Sequence, residues 1–475
     1  MCAISKKAMS EISGFPEWLP AQEQTLDQWK RTLAHHFQSF CFAPMDTPVV
    51  ERMSTLLSKG DDSEIYALTR WAEATQENTK AQSADRQLGL RFDLTVPLAR
   101  YITQHNGQLV FPYRRYHIAP VWRGERPQEG RFRQFYQCDI DTIGQDTLAP
   151  EYDSEIIHIL HSALGALNIG SFLGPITWYL NHHAVLSTWA QHAGIADVPA
   201  ALRLIDKSEK IGLPSVLDGL RDLHATQSAL DILHTWAQQT GSAQANIASL
   251  HHLEHWPIPF HDCLRHLTHT INRLIHLGVP QERICFSPLL ARGLSYYSGI
   301  TFEAKLPAHP QLGSICAGGR YDHLTTTLAS KKPFPGVGGS LGLSRLFAFF
   351  IQQTEPVLQS GDILVCVQEP EELAWYTTQA TLLRNQGWRV EVFLGQASLK
   401  NQLKYANRKG FHLVLLANAQ EIASQHVQLK IMSTGQQQSI ALADLSPFVH
   451  QHLSTLSCCA SDSETQIEKR RSTQE

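Results

Sequence analysis

Two arginine-bearing segments of this sequence contain residues that could do chemistry. The first is Arg123–Asp141, where arginines flank the turn-rich stretch Gly124–Gly130 (GERPQEG). The second is Arg292–Glu303, where Arg292 stands close to two tyrosines and two glycines. A guanidinium group offers a planar fork of donors that can hold a phosphate in bidentate fashion. The two segments therefore predict a site for a phosphate-bearing substrate.

The residues on both sides of Gly124–Gly130 alternate with the two-residue period of a β-strand. Apolar and polar side chains take alternate positions: Tyr116, Ile118 and Trp122 with Arg115, His117 and Arg123, then Phe132, Tyr136, Cys138 and Ile140 with Arg131, Arg133, Gln137, Asp139 and Asp141. Tyr113–Gly144 is therefore predicted to form a long antiparallel hairpin. Its charged face is either a solvated face with salt bridges or a ligand site.

A segment rich in glycine and proline, Pro333–Gly342, precedes a predicted helix, Leu343–Gln352. The chain contains no GxxxxGK[ST] loop, and the glycines of this segment miss the GxGxxG spacing by one residue. The common phosphate-binding loops are therefore excluded. The segment is either a plain loop or a backbone held close to a ligand, with Arg345 one turn into the helix.

The composition is that of a folded protein with two or three domains. The 475 residues are 43% hydrophobic and 18% charged, and the net charge of -4 argues against a protein coated in positive charge. No run approaches the ~20 apolar residues of a membrane helix, and Met1–Gly14 lacks the order of a secretion signal. The nine cysteines form no CxxC pair and no zinc spacing, which predicts reduced thiols in a cytoplasmic protein without a structural metal.

Periodic patterns predict further elements in the first three quarters of the chain. Leucines and aromatic residues recur at helical spacing at Leu26, Trp29, Leu33 and Phe37. Strands are predicted at Gly89–Thr95, Cys285–Pro288 and Ile300–Lys305, with an extended segment at Ala43–Glu51. Residues at about 190–270 are predicted to form an inserted helical module.

The composition changes after Gln359–Ser360. Asp362–Val367 is a continuous apolar run, typical of a strand buried on both faces, and alternating helices and strands follow as far as Leu416. These elements predict a small α/β domain over about 360–455, separate from a larger domain over 1–355. Residues 456–475 are polar and are predicted to be disordered.

Taken together, these segments resemble the class II aminoacyl-tRNA synthetases. Three of them are similar to the motifs of that class: Ala43–Glu51 (APMDTPVVE), Val121–Asp141 (VWRGERPQEGRFRQFYQCDID) and Gly336–Leu346 (GVGGSLGLSRL). Five more are similar to segments of the histidyl-tRNA synthetases: Ser13–Pro20, Leu90–Arg100, Ile205–Gly212, Arg292–Glu303 and Ala317–Leu324.

This resemblance covers about residues 13–453, and Leu399–Leu416 resembles the anticodon-binding domain of the family. It implies an α+β fold, with an antiparallel-sheet catalytic domain of class II, a helical insertion, and a small C-terminal α/β anticodon-binding domain. It also implies homodimers formed through the first motif, Ala43–Glu51.

The resemblance implies a reaction that joins the carboxylate of histidine to the α-phosphate of ATP and then transfers histidine to tRNA. Arg123 and Arg292 match the catalytic arginines that hold the α-phosphate from two sides. Arg131 and Arg345 match positions that hold the β- and γ-phosphates, and Phe135 matches a residue that stacks on adenine. Mg²⁺ is expected between the phosphates, without a protein ligand that the sequence identifies.

The resemblance also implies which residues bind histidine. Six positions match: Asp93, Thr95 and Gln137 for the ammonium group, Asp141 and Tyr297 for the two ring nitrogens, and Tyr321 nearby. Asp93 and Thr95 are expected on one face of their predicted strand. A site that pairs both ring nitrogens rejects apolar analogues, because those analogues leave buried polar partners unsatisfied.

Contacts with tRNA are implied at two places. Arg126 and Gln128 lie in the turn that is expected to meet the acceptor end. A basic patch for the anticodon stem is expected on one helix, at Lys400, Lys404, Arg408 and Lys409. On spacing alone, a solvated helix face explains that patch better.

Two other functions stay open at this point. The regulatory subunit of ATP phosphoribosyltransferase is a non-catalytic paralogue with the same catalytic fold, but such paralogues usually lack the anticodon domain and lose site residues. A pure RNA-binding module has no reason to keep both Arg123 and Arg292. The sequence also departs from the family pattern at Ser295, where Asp is usual, and at Ser344, where Glu is usual.

Overall fold

A computed structural model describes residues 12–459, except for 60–63, 71–85, 129, 168–173, 240–241, 251–252, 254–255, 292–296, 324, 327–331, 355 and 357–360. The chain divides into two compact units, a larger one that includes Leu26–Glu355 and a smaller one that includes Pro356–Glu475. Each unit buries its own set of apolar side chains. Among the described residues, no helix is both long enough and apolar enough to cross a membrane.

The chain before the smaller unit alternates helices with mostly short strands. The strands are β1 (Ala43–Pro44), β2 (Val50–Arg52), β3 (Ala67–Leu68), β4 (Leu88–Leu90), β5 (Tyr113–Trp122), β6 (Gln134–Ile143), β7 (Thr177–His182), β8 (Ile284–Phe286), β9 (Ile300–Lys305), β10 (Ser314–Tyr321) and β11 (Gly336–Leu341). The helices are α1 (Pro20–Ser39), α2 (Met53–Leu56), α3 (Thr95–His105), α4 (Glu151–Ala166), α5 (His183–His192), α6 (Val198–Ile205), α7 (Ser208–Ile211), α8 (Leu213–Asp222), α9 (Gln227–Ala237), α10 (Ala243–Leu250), α11 (Ile258–His276) and α12 (Leu343–Gln353).

Eight of these strands form one sheet, in the order β1-β5-β6-β11-β10-β9-β7-β8. The two outermost pairs, β1 with β5 and β7 with β8, are parallel. The pairs between them are antiparallel. A large antiparallel sheet within a helical framework confirms the predicted α+β fold class.

The hairpin of β5 and β6 confirms the pairing predicted from the two-residue period. Its register runs from Tyr113 opposite Ile143 to Trp122 opposite Gln134. Four positions of the polar face are at most 3% exposed: Arg115, His117, Asp139 and Asp141. The side chains of Arg123 and Arg131 are 32% and 41% exposed. Charges buried as those of Arg115 and Asp141 are require partners, so the interpretation as a solvated face is wrong for this buried part of the hairpin.

The strand predicted at Gly89–Thr95 is wrong in its second half. Strand β4 ends at Leu90, and helix α3 begins at Thr95. The Oδ1 atom of Asp93 accepts a hydrogen bond from the backbone N–H of Val96 at 3.0 Å. The first N–H groups of a helix lack partners within the helix, and a short acidic side chain supplies one. Asp93 and Thr95 therefore lie at a helix start and not on one strand face.

The interpretation of Pro333–Gly342 as a plain loop is also wrong, because the segment contains β11 in the middle of the sheet. A Cβ atom at Gly339 would lie 2.6 Å from a methyl carbon of Leu160 on α4 and 2.9 Å from the ring of Phe302 on β9. Glycine therefore allows α4 to pack directly on the backbone of this strand.

Helix α1 shows the buried face that its spacing predicts. The four apolar residues are at most 6% exposed: Leu26, Trp29, Leu33 and Phe37. The ring of Trp29 lies 5.4 Å from that of Phe347 and 5.0 Å from that of Phe350, both on α12. Burial of each large apolar side chain contributes about 1.5–3 kcal/mol to stability, so this face holds α1 against α12.

In chain order, helices α5–α11 follow β7 and precede β8, and they extend from His183 to His276. The longest of them, α11, packs against α4 and β7. Its buried residues recur every three or four positions: Phe260, Cys263, Leu264, Leu267, Thr270, Ile271 and Leu274. This amphipathic pattern explains why a helical region could be predicted here from the sequence.

A buried ion pair joins α4 to β10. The Nη2 atom of Arg320 lies 2.7 Å from Oδ1 of Asp153. Arg320 also donates to the carbonyl oxygens of Leu148 and Ala149, at 3.2 and 2.9 Å. A buried pair is tolerated only when its remaining hydrogen-bonding capacity is also met, as it is here. The pair fixes the residue next to Tyr321, which lines the pocket described below.

The smaller unit contains β12 (Ile363–Val365), α13 (Leu373–Asn385), β13 (Val390–Val392), α14 (Leu399–Lys409), β14 (Leu413–Leu416), α15 (Ala419–Ala423), β15 (His426–Ile431), β16 (Gln437–Ala441) and α16 (Leu445–Cys459). Its sheet has the order β13-β12-β14-β15-β16, and β12 is parallel to both of its neighbours. The parallel strands with their two helices are the predicted β-α-β-α-β unit.

Helix α16 includes residues 456–459 of the segment expected to be disordered, and 460–475 lie outside the described residues.

Candidate active site

A pocket of about 640 Å³ lies on one face of the main sheet. Its floor includes one residue from each of four adjacent strands, which the register places side by side: Asp139, Ser340, Ala317 and Glu303. Residues directly opposite each other on paired strands point to the same face. The volume is within the range of sites for small molecules.

Arg345 is held by backbone carbonyl groups at one end of the pocket. Its Nε atom donates to the carbonyl oxygen of Gly130 at 3.2 Å, and its Nη1 atom donates to those of Leu312 and Ser314 at 3.1 and 2.8 Å. Burial lowers the pKa of the Arg345 guanidinium, and the positive charges of Arg131 and Arg123 act in the same direction. A bound polyanion offsets this electrostatic cost.

Arg123 and Arg131 share one carboxylate, that of Glu125. The distance is 2.7 Å from Nε of Arg131 to Oε2 and 3.9 Å from Nη1 of Arg123 to Oε1. Arg123 also donates to the carbonyl oxygen of Phe92 at 3.0 Å, and its guanidinium carbon lies 5.1 Å from the ring centre of Phe135. With Arg345, three guanidinium groups meet one carboxylate, so this end of the pocket is positively charged and suits phosphate.

Asp141 is held by two neighbours in a buried part of the same pocket. Its Oδ2 atom lies 2.6 Å from Nη2 of Arg115, and its Oδ1 atom accepts a hydrogen bond from the hydroxyl of Tyr321. Burial raises the pKa of Tyr321, and the charge of Asp141 adds to the effect, so the hydroxyl stays a donor. Each carboxylate oxygen has two acceptor positions, so Asp141 can take part in more than these two contacts.

Gly338 on β11 provides the space that Asp141 occupies. A Cβ atom at Gly338 would lie 1.9 Å from Oδ1 of Asp141, far inside any contact distance. The absence of a side chain at this position is therefore a condition for the observed position of the carboxylate.

Gln137 and Asp139 each have an acceptor atom without a partner among the described residues. Gln137 donates from Nε2 to Oγ of Ser340 at 2.9 Å, while its Oε1 atom has no partner in the described part of the chain. Asp139 is buried, and within the same residues its Oδ1 atom has no partner either. Buried acceptors of this kind are uncommon and costly. Both residues line the pocket, so they indicate a ligand that brings donor groups.

The carboxyl group of Asp139 has a pKa above its usual range. Burial raises the pKa of its carboxyl group to about 7. Arg115 and a hydrogen bond with Ser340 oppose this shift, whereas the carboxylates of Asp141 and Asp93 add to it. Asp139 therefore gains and loses a proton near neutral pH.

Most of the residues predicted from the sequence line this one pocket: Asp93, Thr95, Arg123, Gln128, Arg131, Phe135, Gln137, Asp141, Tyr297, Tyr321 and Arg345. Tyr297 and Tyr321 also pack in one apolar cluster with Met45 and Leu98. Arg126 lies exposed in the turn before β6 and does not line the pocket. Arg292 and Ser295 lie outside the described residues.

Several residues of the site were not predicted. Asp139 was counted on the charged face without a role, although its place between Gln137 and Asp141 on the same strand face was a usable signal. Glu125 and Ser340 also line the pocket without a predicted role. Asp206, Lys207, Glu209 and Lys210 line it as well. These four residues belong to Ile205–Gly212, which resembles a segment of the family, but the resemblance gave them no role in the site.

Ser344, which departs from the family pattern, has a structural contact. Its Oγ atom accepts a hydrogen bond from the backbone N–H of Tyr136 at 2.8 Å. The contact joins the start of α12 to β6, next to the residues that line the pocket.

The basic residues of the smaller unit divide into two kinds. Lys400, Lys404 and Arg408 are exposed at intervals of four residues on α14 and so share one face. No ion pair involves these three within the described part of the chain. Lys409 is different, because its Nζ atom lies 3.7 Å from Oε2 of Glu391 and 5.1 Å from the ring centre of Tyr405.

Two family models match the chain. One is described as "Histidyl-tRNA synthetase" and matches residues 14–346. The other is described as "Anticodon binding domain" and matches residues 363–452.

Curated relatives with the name "Histidine--tRNA ligase" include the following two. The protein from Clostridium tetani is 35% identical over 440 residues, which are 92% of this chain and 96% of that protein. The protein from Rhodopirellula baltica is 36% identical with the same coverage.

Solved structures give the same result. The histidyl-tRNA synthetase from Nostoc sp. PCC 7120 is 30% identical, with a TM-score of 0.79, and the match covers 93% of this chain and 99% of that chain. A Bacillus halodurans protein described as an ATP phosphoribosyltransferase regulatory subunit/histidyl-tRNA synthetase matches with 18% identity and a TM-score of 0.68. That match covers 83% of this chain and 96% of that chain, and at this identity it supports the fold alone.

The arginine end of the pocket predicts a phosphate-binding defect in Arg131→Ala. Loss of one charge-assisted contact should weaken pyrophosphate binding about tenfold, as measured by isothermal titration calorimetry. Arg133→Ala is the matched control, because Arg133 lies on the same turn but outside the pocket. Equal affinities of the Arg131→Ala variant and the unmodified protein would contradict this role for the arginine cluster.

Proposed function

The chain belongs to the histidyl-tRNA synthetase family, and on that premise we propose that its pocket activates histidine with ATP before transfer to tRNA. The overall reaction is ATP-dependent histidine–tRNA ligation. The observation that carries the assignment of the site is one pocket that combines the arginine cluster with buried carboxylates and unpartnered acceptors. Such a pocket can bind a polyanion and an amino acid side by side.

ATP is assigned to the positively charged end of the pocket. Arg123 and Arg292 act on the α-phosphate, and Arg131 and Arg345 hold the β- and γ-phosphates. Negative charge develops on the phosphate oxygens as the histidine carboxylate attacks and pyrophosphate leaves, so preformed cations lower the barrier. Phe135 stacks on adenine, which is consistent with its position beside the guanidinium of Arg123.

Mg²⁺ enters this scheme with ATP, bound to the phosphates of the substrate. Mg²⁺ commonly takes only one or two protein carboxylates together with phosphates and water. Among the described residues, no group of three or more His, Cys, Asp or Glu side chains is placed to hold a metal ion. The donor set of this chain therefore fits an ion delivered by the nucleotide better than a permanent metal centre.

Histidine is assigned to the part of the pocket with the carboxylates. Gln137, Asp93 and Thr95 face its ammonium group, and the Oε1 atom of Gln137 is available as an acceptor. The imidazole ring lies between Asp141 and Tyr297, with Tyr321 orienting Asp141. Two polar partners for two ring nitrogens favour histidine over apolar amino acids.

Transfer to tRNA uses two separate surfaces. Arg126 and Gln128 in the exposed turn contact the acceptor end, where Gln128 also lines the pocket. The exposed residues Lys400, Lys404 and Arg408 contact the phosphates of the anticodon stem. We leave Lys409 out of this surface, because Glu391 already pairs with it.

We further propose that the catalytic domain spans 1–355 with its insertion at about 190–270, that the anticodon-binding domain spans 360–455, and that the enzyme is a cytoplasmic homodimer.

A feature of the segment Ala43–Glu51 supports the dimer. The side chain of Asp46 is 82% exposed, yet its partners His117 and Arg91 are buried, at 2.9 and 3.4 Å. A second subunit would cover this carboxylate.

The non-catalytic alternative is not favoured. Relatives named as ligases are about 35% identical over more than nine tenths of the chain, and the anticodon-binding region is present. Arg123, Gln137, Asp141, Tyr297 and Arg345 are also retained together in the pocket. A regulatory paralogue has no chemical need for this combination.

The proposed function predicts histidine-dependent exchange of pyrophosphate into ATP by the purified protein. Exchange should require histidine and should stay at background with other amino acids, because both ring nitrogens need partners. Radiolabelled pyrophosphate incorporation measures it directly. An absence of exchange above background would refute the enzymatic assignment and support the regulatory alternative.

Arg292→Ala should lower the rate of adenylate formation on the order of a hundredfold or more, the scale of losing one preorganised partner of transition-state charge. The measurement is kcat in the exchange assay. Arg283→Ala is a matched control, since Arg283 lies near β8 and outside the pocket. If Arg292→Ala kept full turnover, the role given to Arg292 would be wrong.

Replacing Lys400, Lys404 and Arg408 together by alanine should lower kcat/KM for tRNA charging roughly tenfold or more and should reduce its salt dependence. Histidine-dependent exchange should be unchanged, because it does not involve tRNA. Lys409→Ala removes one positive charge from the same helix, against three in the triple variant, and should have a smaller effect per charge removed. Equal losses in charging and exchange would indicate misfolding and not loss of a tRNA contact.

A further inference from the structure

We propose that Asp139 is the charged partner of the substrate's α-ammonium group. This inference rests on the proposed function and assigns a further binding residue within the same pocket. It starts from a buried carboxylate that the roles given above do not use.

The position of Asp139 is fixed by the sheet. It follows Gln137 and precedes Asp141 at alternate positions of β6, so the three side chains share the pocket face. Its partner across the sheet is Ser340 on β11, which donates a hydrogen bond to its carboxylate. The Oδ1 atom of Asp139 is buried and has no partner among the residues that the structure describes.

The chemistry of the surrounding acceptors favours an ammonium ligand. In the described part of the chain, no donor contacts the Oε1 atom of Gln137 or the Oδ1 atom of Asp139, and the carboxylate of Asp93 lines the same pocket. An ammonium group brings three donors, no acceptor and one positive charge. It can satisfy these acceptors and also offset a local excess of carboxylates.

Asp139 is better suited than Asp93 to be the main charged partner. The Oδ1 atom of Asp93 already accepts the N–H of Val96 at the start of α3, so part of that carboxylate serves the fold. Asp141 is paired with Arg115 and with the hydroxyl of Tyr321. Asp139 has an oxygen, Oδ1, that no group of the described residues contacts by a hydrogen bond.

The charges around Asp139 decide the direction of the pH effect. They come from every element packed against it: Arg115 and His117 on β5, Asp141 on β6, Arg91 and Asp93 before α3, and the hydroxyl of Ser340 on β11. Burial lowers the pKa of His117 to about 3, so His117 is neutral. Burial raises the pKa of Asp139 to about 7, with Arg115 opposing the shift.

An ammonium ligand stabilises the ionised form of Asp139 and therefore lowers its pKa in the complex. Below about pH 7 the free enzyme must lose a proton from Asp139 before it binds histidine, so affinity falls as the pH falls. Above that pH the carboxylate is already ionised, and affinity no longer changes through this group. Binding at pH 7 should accordingly release part of a proton from Asp139.

The first experiment compares Asp139→Asn with the unmodified enzyme in the exchange assay between pH 6 and 8.5. The variant should raise KM for histidine on the order of ten- to a hundredfold at pH 8, the effect of losing a charge-assisted contact. Its KM for ATP should stay within about twofold, because ATP occupies the arginine end. In the unmodified enzyme KM for histidine should rise as the pH falls below about 7, and this rise should be smaller in Asp139→Asn.

Asp146→Asn is the matched control, because Asp146 is exposed just after β6 and its φ of 63° suits asparagine as well as aspartate. This control should keep the KM and pH profile of the unmodified enzyme. An Asp139→Asn variant with the same histidine KM and pH profile as the unmodified enzyme would overturn the inference.

A second measurement keeps the test decisive if Asp139→Asn does not fold. Calorimetric titration of the unmodified enzyme at pH 7, in two buffers with different ionisation enthalpies, counts the protons released on binding. The probe is triazole-alanine, a histidine analogue whose ring gains no proton in this range, so ring titration is removed. Release of a fraction of a proton supports the inference, and no release overturns it.

The two proposals fail in different ways. Without exchange at any pH, the proposed function itself is wrong. Exchange with a histidine KM that stays flat from pH 6 to 8.5 removes only the role of Asp139.

Discussion

The buried ion pair between Arg115 and Asp141 is the interaction on which the rest of the site depends. Its two charges lie 2.6 Å apart on neighbouring strands with almost no exposure to solvent. Removing one partner of such a pair leaves an uncompensated charge, which costs far more than the pair contributes. The pair fixes Asp141, Tyr321 donates to the same carboxylate, and Arg320 beside Tyr321 is held by Asp153 on α4. The end of the pocket with the buried carboxylates thus depends on the packing of a helix behind the sheet.

Local periodicity accounts for the parts of the fold that could be predicted. The hairpin of β5 and β6, the buried face of α1 and the parallel strands of the smaller unit all carry apolar residues at regular intervals. Strand β11 could not be found in this way, because a run of glycines has no apolar period. The strand predicted at Gly89–Thr95 extends too far because Asp93 acts through a hydrogen bond to the backbone, and alternation of residue types says nothing about such a contact.

In the site, as in the fold, residue type could be predicted from the sequence but the environment of each residue could not. Motif similarity selected Arg123, Gln137 and Arg345, and the structure brings these residues into one pocket. It did not select Asp139, because a carboxylate in the sequence gives no indication of whether it is paired, buried or ionised. Burial and the unpartnered oxygen of Asp139 arise from the register of four strands. Those are long-range properties, which single-residue patterns cannot supply.

The two adjacent glycines of β11 have a consequence for protein engineering. Gly338 faces Asp141 and Gly339 faces Leu160 and Phe302, so at this point the wall between the amino-acid site and the helix layer is a bare backbone. A bulkier side chain at position 160 would push on the strand that supports Asp141 without entering the pocket. Libraries intended to change which amino acid the enzyme accepts should therefore include residues on the far side of the sheet as well as those that touch the substrate.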